Sequence, residues 1–256
     1  MDRIDILGVE VSLIGAEELL ALFGRVIAAN AKAVALNVNA NCLNLACREP
    51  WLMDYLNQAD VVFVDGYGVR LAAWLLGRPL PTRITYADWM SDLGEYCAEY
   101  HLSLYFVGAK EGVAREAAER LSARHPGLMV KGTHHGFFNK SREAEENRAL
   151  IDEINRGRPN ILIIGFGMPT QERWLMENWN DIDANIALTG GGVFDVVSGR
   201  VRRPPRFLTD HGLEWLGRLL QEPKRLWRRY LVGNPVFVLR VLRQRFIFAP
   251  HRHPDL

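Results

Sequence analysis

No stretch of this chain approaches the eighteen or so consecutive apolar residues that carry a helix across a bilayer, so a membrane span is not expected. Asp2, Arg3 and Asp5 open the N-terminus where a signal peptide would hold an apolar region, which makes the cytoplasm the expected compartment. Cysteine is scarce. Cys42, Cys47 and Cys97 are odd in number and lack zinc-ligand spacing, so reduced thiols are expected and a disulfide framework is not. The phosphate-loop pattern G-x-x-x-x-G-K-[ST] is missing, and Gly108-Ala-Lys-Glu-Gly112 falls short of the G-x-G-x-x-G fingerprint of dinucleotide binders. Internal repeats and low-complexity linkers are missing too. Acid is what the last quarter lacks: residues 200–245 hold twelve Arg or Lys against three Asp or Glu, whereas 1–199 hold eighteen against twenty-six. The formal net charge of +1 therefore conceals an acidic body carrying a basic tail.

What is present reads as one α/β domain with an appendage. At 256 residues and 48% hydrophobic content the chain can bury a sizeable core. Strand-length apolar runs recur at 33–39, 61–65, 102–108, 160–167 and 185–192, each ending in glycine or a small polar residue. Helical patterns lie between them, notably at 113–124 and 143–156. This alternation predicts a Rossmann-like, mostly parallel sheet flanked by helices, with right-handed crossovers. Ligands in such sheets bind beyond the carboxyl ends of the strands, so Asn37, Asn39, Asp65, Gly108, residues 165–171 and 190–192 are expected to converge. Pro204 and Pro205 mark the boundary between a core of residues 1–203 and a basic helical appendage of 204–256. Within the appendage three helices are expected, at 212–221, 223–230 and 235–248. The last places Phe237, Val238, Val241, Leu242 and Phe246 on one face beside Arg240 and Arg243, as in a helix that lies on a membrane surface.

Several segments carry chemistry. Asp65 ends an apolar strand and is followed by Gly66 and Gly68, which leaves a carboxylate where a turn of small residues lets substrate approach; read in isolation, such an Asp caps a helix about as often as it serves catalysis. In Gly165-Phe-Gly-Met-Pro-Thr-Gln-Glu172 a buried strand breaks into glycines, and proline starts a helix with Gln171 and Glu172 in its first turn. Packing alone does not call for those two polar side chains. Gly108 to Gly112 reads first as an ordinary strand-to-helix turn and second as a diphosphate contact through helix amides. Asp181-Ile-Asp183 resembles a metal-binding pair but precedes a strand instead of following one, so a solvated loop is expected. His134 and His135 are adjacent, and on a strand they would point apart, which disfavours joint metal ligation. No metal site is assigned. Trp215, Arg218, Arg225, Arg228 and Tyr230 combine cations with aromatic side chains, a pattern suited to phosphate or lipid.

Taken in order, the Asn-containing strand, ADVVFVDGYGV (59–69), FVGAKEGVA (106–114), IGFGMPTQERW (164–174), GGVFDVVSGRVRRPP (191–205) and GLEWLGRLLQEPKRLWRRYLVGNP (212–235) resemble the WecG/TagA/CpsF family of bacterial glycosyltransferases. The resemblance implies transfer of a sugar, with inversion and no essential metal or other cofactor, from a UDP-sugar donor to a polyprenyl-diphosphate-linked saccharide in surface-polysaccharide or cell-wall-polymer assembly. It further implies Asp65 as general base and Gln171 as a helper. Asn37, Asn39, Gly66, Gly68, Arg83, Gly108, Gly167, Glu172 and Gly191 are then substrate-binding candidates, with Arg218, Arg225 and Arg228 closing over diphosphate from a membrane-docking tail. Asn37 stands where many relatives have Thr, Thr170 where they commonly have Lys, and residues 83–88 lack a glycine that relatives often carry. These departures leave N-acetylmannosamine, its uronic acid and glucose all open as donor sugars.

Two other classes fit the tail. A nucleic-acid-binding protein would use the arginines on phosphates, but the acidic body would repel a long polyanion, so no nucleic-acid partner is expected. A nucleotide-dependent oxidoreductase would lack its dinucleotide fingerprint. The expected setting is the inner face of the plasma membrane, held peripherally by anionic lipid, and whether the chain forms homo-oligomers is left open.

Overall fold

The computed structural model describes residues 1–80, 84, 86–201 and 212–247. An antiparallel hairpin of β1 (Arg3–Ile6) and β2 (Val9–Ser12) comes first. The sheet strands follow as β3 (Ala33–Val38), β4 (Val61–Val64), β5 (Ser103–Gly108), β6 (Met129–His134), β7 (Ile161–Gly165) and β8 (Ile186–Thr189). They lie side by side in the order β4-β3-β8-β7-β5-β6, and every pairing is parallel. The apolar runs are continuous because both sheet faces are covered: on β3, Val34, Leu36 and Val38 enter one apolar cluster while Ala33 and Ala35 enter the other.

One face is covered by α1 (Ala16–Ala28), α5 (Tyr86–Glu99), α6 (Val113–Arg124) and the short α9 (Val193–Val197). The opposite face carries α2 (Ala40–Ala46), α3 (Pro50–Gln58), α4 (Tyr67–Leu75), α7 (Glu145–Gly157) and α8 (Thr170–Asn178), with the hairpin beside them. This is the expected Rossmann-like α/β architecture. Sequence patterning passed over the hairpin strands β1 and β2 and, within the parallel sheet, β6. β6 is an edge strand, MVKGTH, without a fully buried residue, so it shows no apolar run.

The tail is helical as expected, with different joints. α10 (Glu214–Gln221) breaks at Glu222, and Pro223 opens α11 (Pro223–Trp227) from its first turn. A π-helical turn, Arg228–Val232, then leads into α12 (Gly233–Ile247) without the fresh start expected at Pro235. The boundary at Pro204 and Pro205 and the last residue of the expected third helix, Phe248, lie outside the described residues. α12 also presents its apolar face differently from the membrane-surface reading. Phe237 and Val241 are buried in the same cluster as α2 and β3, Val238 packs against that cluster, and only Phe246 of the expected face is strongly exposed, at 79%. The reason is local: α2 and α4 offer an apolar surface that α12 covers. Polar contacts fix it there, since Asn44 donates to the Gly233 carbonyl (2.8 Å) and Arg240 donates to Asn44 Oδ1 (2.8 Å). At its far end Gln244 accepts from the Leu7 N–H (2.9 Å) and donates to the Asp5 carboxylate (2.6 Å), joining the tail to the hairpin turn.

Candidate active site

Asp65 follows the last residue of β4, and its N–H donates to the Val38 carbonyl at 2.8 Å, so the sheet ladder carries it to the strand mouth. A parallel bridge to Ile84 holds its other side, and Gly66, at φ 92°, turns the chain at once into α4. The carboxylate is left half-buried in the wall of a cavity of about 400 Å³. Body and tail build that cavity together. Asn39, Asn41, Asp65, Gly66 and Gly68 line it from the strand mouths, while Trp215, Arg218, Arg229, Tyr230, Asn234 and Phe237 line it from the tail. Asn39 is fixed by capping α2, its Oδ1 accepting from the N–H groups of Asn41 and Cys42, both at 3.1 Å. At Gly212 tail and body approach closely: its φ is 75°, and a Cβ there would stand 2.5 Å from the Tyr67 ring.

Next to this cavity the glycine turns after β7 and β8 are tied together. Gln171 Oε1 accepts from the N–H groups of Gly167 (3.2 Å) and Gly191 (3.0 Å), and its Nε2 donates to Glu172 Oε1 (2.7 Å). Both side chains are fully buried, so they face the loops and each other. Burial pushes the Glu172 carboxyl up to about 7, partly offset by the bond from Gln171. Asn37 is likewise internal at 2% exposure, its Oδ1 accepting from the Thr189 hydroxyl (2.9 Å) across the β3–β8 ladder. Gly108 packs on the neighbouring strand so closely that a Cβ would meet the Gly165 carbonyl oxygen at 2.5 Å.

Arg218 stands between the cavity and the β8 turn, with Nη2 3.5 Å from where a Gly192 Cβ would be. Asp195, at the start of α9, is half-buried; desolvation raises its carboxyl, and Arg225, Arg218 and Lys110 act against that rise. Arg225 pairs with Glu222, and Arg228 lies over the Trp227 ring at 5.3 Å. Both are exposed, and neither lines the cavity; Arg229 does. Adjacent arginines gave the sequence no means of choosing between them. The break at Glu222 and the π-helical turn decide which side chain turns inward. Arg83 lies outside the described residues.

The remaining motifs lie apart from Asp65. Asp181 pairs with Arg142 (2.8 Å) and Asp183 with Arg158 (3.2 Å) ahead of β8. His134 and His135 do not point apart as a strand would require: their ring centroids are 4.5 Å from each other, because β6 ends at His134. Among the described residues no three His, Cys, Asp or Glu side chains form a group that could hold a metal ion, and no helix is long and apolar enough to cross a membrane.

A chain from Bacillus spizizenii named N-acetylglucosaminyldiphosphoundecaprenol N-acetyl-beta-D-mannosaminyltransferase is 33% identical over 207 residues, covering 80% of this chain and 77% of that one. A protein of the same name from Staphylococcus aureus strain MW2 is 26% identical over 210 residues, 82% of this chain and 80% of its own. The profile of the Glycosyl transferase WecG/TagA/CpsF family matches residues 4–250, from the hairpin through the tail. With that span matched, this chain belongs to the WecG/TagA/CpsF family of glycosyl transferases.

Proposed function

We propose that the protein transfers an N-acetylhexosamine from a UDP-sugar to a hydroxyl of a polyprenyl-diphosphate-linked saccharide, with inversion, in cell-wall or surface-polymer assembly. The observation that carries this reading is the shared cavity, which Asp65 at a strand mouth and two tail arginines, Arg218 and Arg229, line together. Asp65 takes the proton of the acceptor hydroxyl as its oxygen attacks the anomeric carbon; the bond to the UDP β-phosphate breaks and its electron pair leaves with that phosphate. One displacement at one carbon inverts it. Arginine and the amides of the glycine turns meet the charge on the departing diphosphate, so the reaction survives chelation of divalent metals. Asn39, Gly66 and Gly68 bound the acceptor side, Gly108, Gly167 and Gly191 the donor side, and exposed Arg225 and Arg228 meet phosphate at the membrane. Asn37, Gln171 and Glu172 support these surfaces from below. The relatives' names put N-acetylmannosamine first among donors and an N-acetylglucosaminyl-diphosphate lipid first among acceptors.

Purified protein should convert UDP-N-acetylmannosamine and a short-chain N-acetylglucosaminyl-diphosphate prenyl acceptor into a disaccharide lipid and UDP, with and without EDTA. The anomeric configuration of the product, read by NMR, should be opposite to that of the donor. Absence of UDP release with every UDP-N-acetylhexosamine offered, or retention at the anomeric carbon, overturns the proposal.

A further inference from the structure

Gln171 holds two loops with one atom. Its Oε1 accepts both the Gly167 N–H, in the turn after β7, and the Gly191 N–H, in the turn after β8. That arrangement works in one amide orientation only. A flipped side chain would aim an NH₂ group at two backbone donors, leaving three donors facing one another in a site closed to water. The correct orientation in turn leaves Nε2 needing an acceptor, and Glu172 Oε1 supplies it at 2.7 Å. Glu172 is fully buried, and its second oxygen, Oε2, has no hydrogen-bond partner. An apolar side chain would fill such a position at lower cost, so packing does not account for the carboxyl.

We propose that Glu172 is a positioning residue for transfer: by fixing the amide orientation of Gln171 it sets the spacing of the Gly167 and Gly191 turns, without touching substrate. Its influence extends further through the chain. Gly191 is followed by Gly192, against which Arg218 packs, so the turn that Gln171 holds also seats a cavity arginine. The line of dependence runs from Glu172 to Gln171, to the Gly191 turn, to Arg218. The kinetic part of this inference rests on the glycosyl-transfer reading; the structural part does not.

The two parts separate in one experiment on the full chain. Glu172→Leu removes the acceptor, Glu172→Gln keeps an oxygen that can receive the Gln171 amide, and Gln171→Met removes the clamp itself. Amide hydrogen exchange at Gly167 and Gly191 is read by NMR, alongside transfer to the short-chain acceptor. Exchange at both glycines should quicken about tenfold in Glu172→Leu and in Gln171→Met, as when a buried hydrogen bond is lost, while Glu172→Gln stays near wild type. Turnover of Glu172→Leu should fall by up to about a hundredfold in kcat with little change in donor KM, and Glu172→Gln should recover most of it. Unchanged exchange in a folded Glu172→Leu protein overturns the proposal, as does equal impairment of the Gln and Leu variants. If Glu172→Leu does not fold, slow exchange at both glycines in Gln171→Met overturns it instead. A wild-type protein that transfers no sugar removes the proposed function and leaves the exchange result to decide the clamp.

Discussion

The backbone holds Asp65 in place: its N–H bonds to the Val38 carbonyl at the end of β4, Ile84 bridges its other side, and Gly66 turns the chain away at once. Asp65→Asn should lower kcat by roughly 10² to 10⁴ while UDP-sugar affinity, measured by calorimetry, stays within about threefold. Near-wild-type turnover by the folded variant would remove Asp65 from the role of base. Glu172 makes a different prediction, about stability. Its pKa in the folded protein, about 7, lies above the ordinary value of 4.5, so between those pH values the native state keeps a proton that the unfolded chain has released. Wild-type stability from this group therefore falls as pH rises from 4.5 to 7. The other titratable groups in its field, Cys42 on α2 and Tyr55 on α3, are neutral over that range because burial raises both. Urea unfolding of Glu172→Gln against wild type should show a gap that widens by as much as about 3 kcal/mol between pH 5 and pH 8; a constant gap would show that Glu172 does not carry the proton. Sequence reading found these residues by type and by their place after a strand. It could not see which way they face, because Asn37 and Gln171 differ from cavity residues only in the direction of a side chain that tertiary packing sets.

Among elements, α12 shows how a face that reads as amphipathic can have two destinations. The same spacing of Phe237, Val241 and Phe246 suits a membrane surface or a protein core, and the surface of α2 and α4 decides for the core at the first two positions. Val241→Asp places a charge where exposure is 0% and should cost about 3 kcal/mol or more, roughly a 10 °C fall in melting temperature for a chain this size. Phe246→Asp should leave melting unchanged yet weaken sedimentation with anionic vesicles. The opposite pattern would mean that α12 leaves the body in solution. Strands were legible where two covered faces demanded apolar runs, as in β3, β5, β7 and β8, and illegible in β6, where an edge position relaxes that demand.

At the scale of the whole molecule, charge is segregated: Lys224, Arg225, Arg228, Arg243 and Arg245 are exposed on the tail of an acidic body. Binding to vesicles containing anionic lipid should accordingly fall steeply as salt rises from about 0.05 to 0.5 M, over which the screening length shrinks from well above to well below the spacing of a surface and its counter-charges. Salt-independent binding would point to apolar insertion by Leu239 and Phe246 as the whole of the attachment. The join between α12 and the hairpin concerns the order in which the chain is made. Gln244 and Leu7 are 237 positions apart, yet one seals the other. During synthesis the sheet is complete well before Phe237 and Val241 exist, so a chain on the ribosome exposes the apolar surface of α2 and α4 and lacks the last residues that line the Asp65 cavity, Phe237 and Val238. Formation of α12 covers that surface and completes the lining of the cavity in one step.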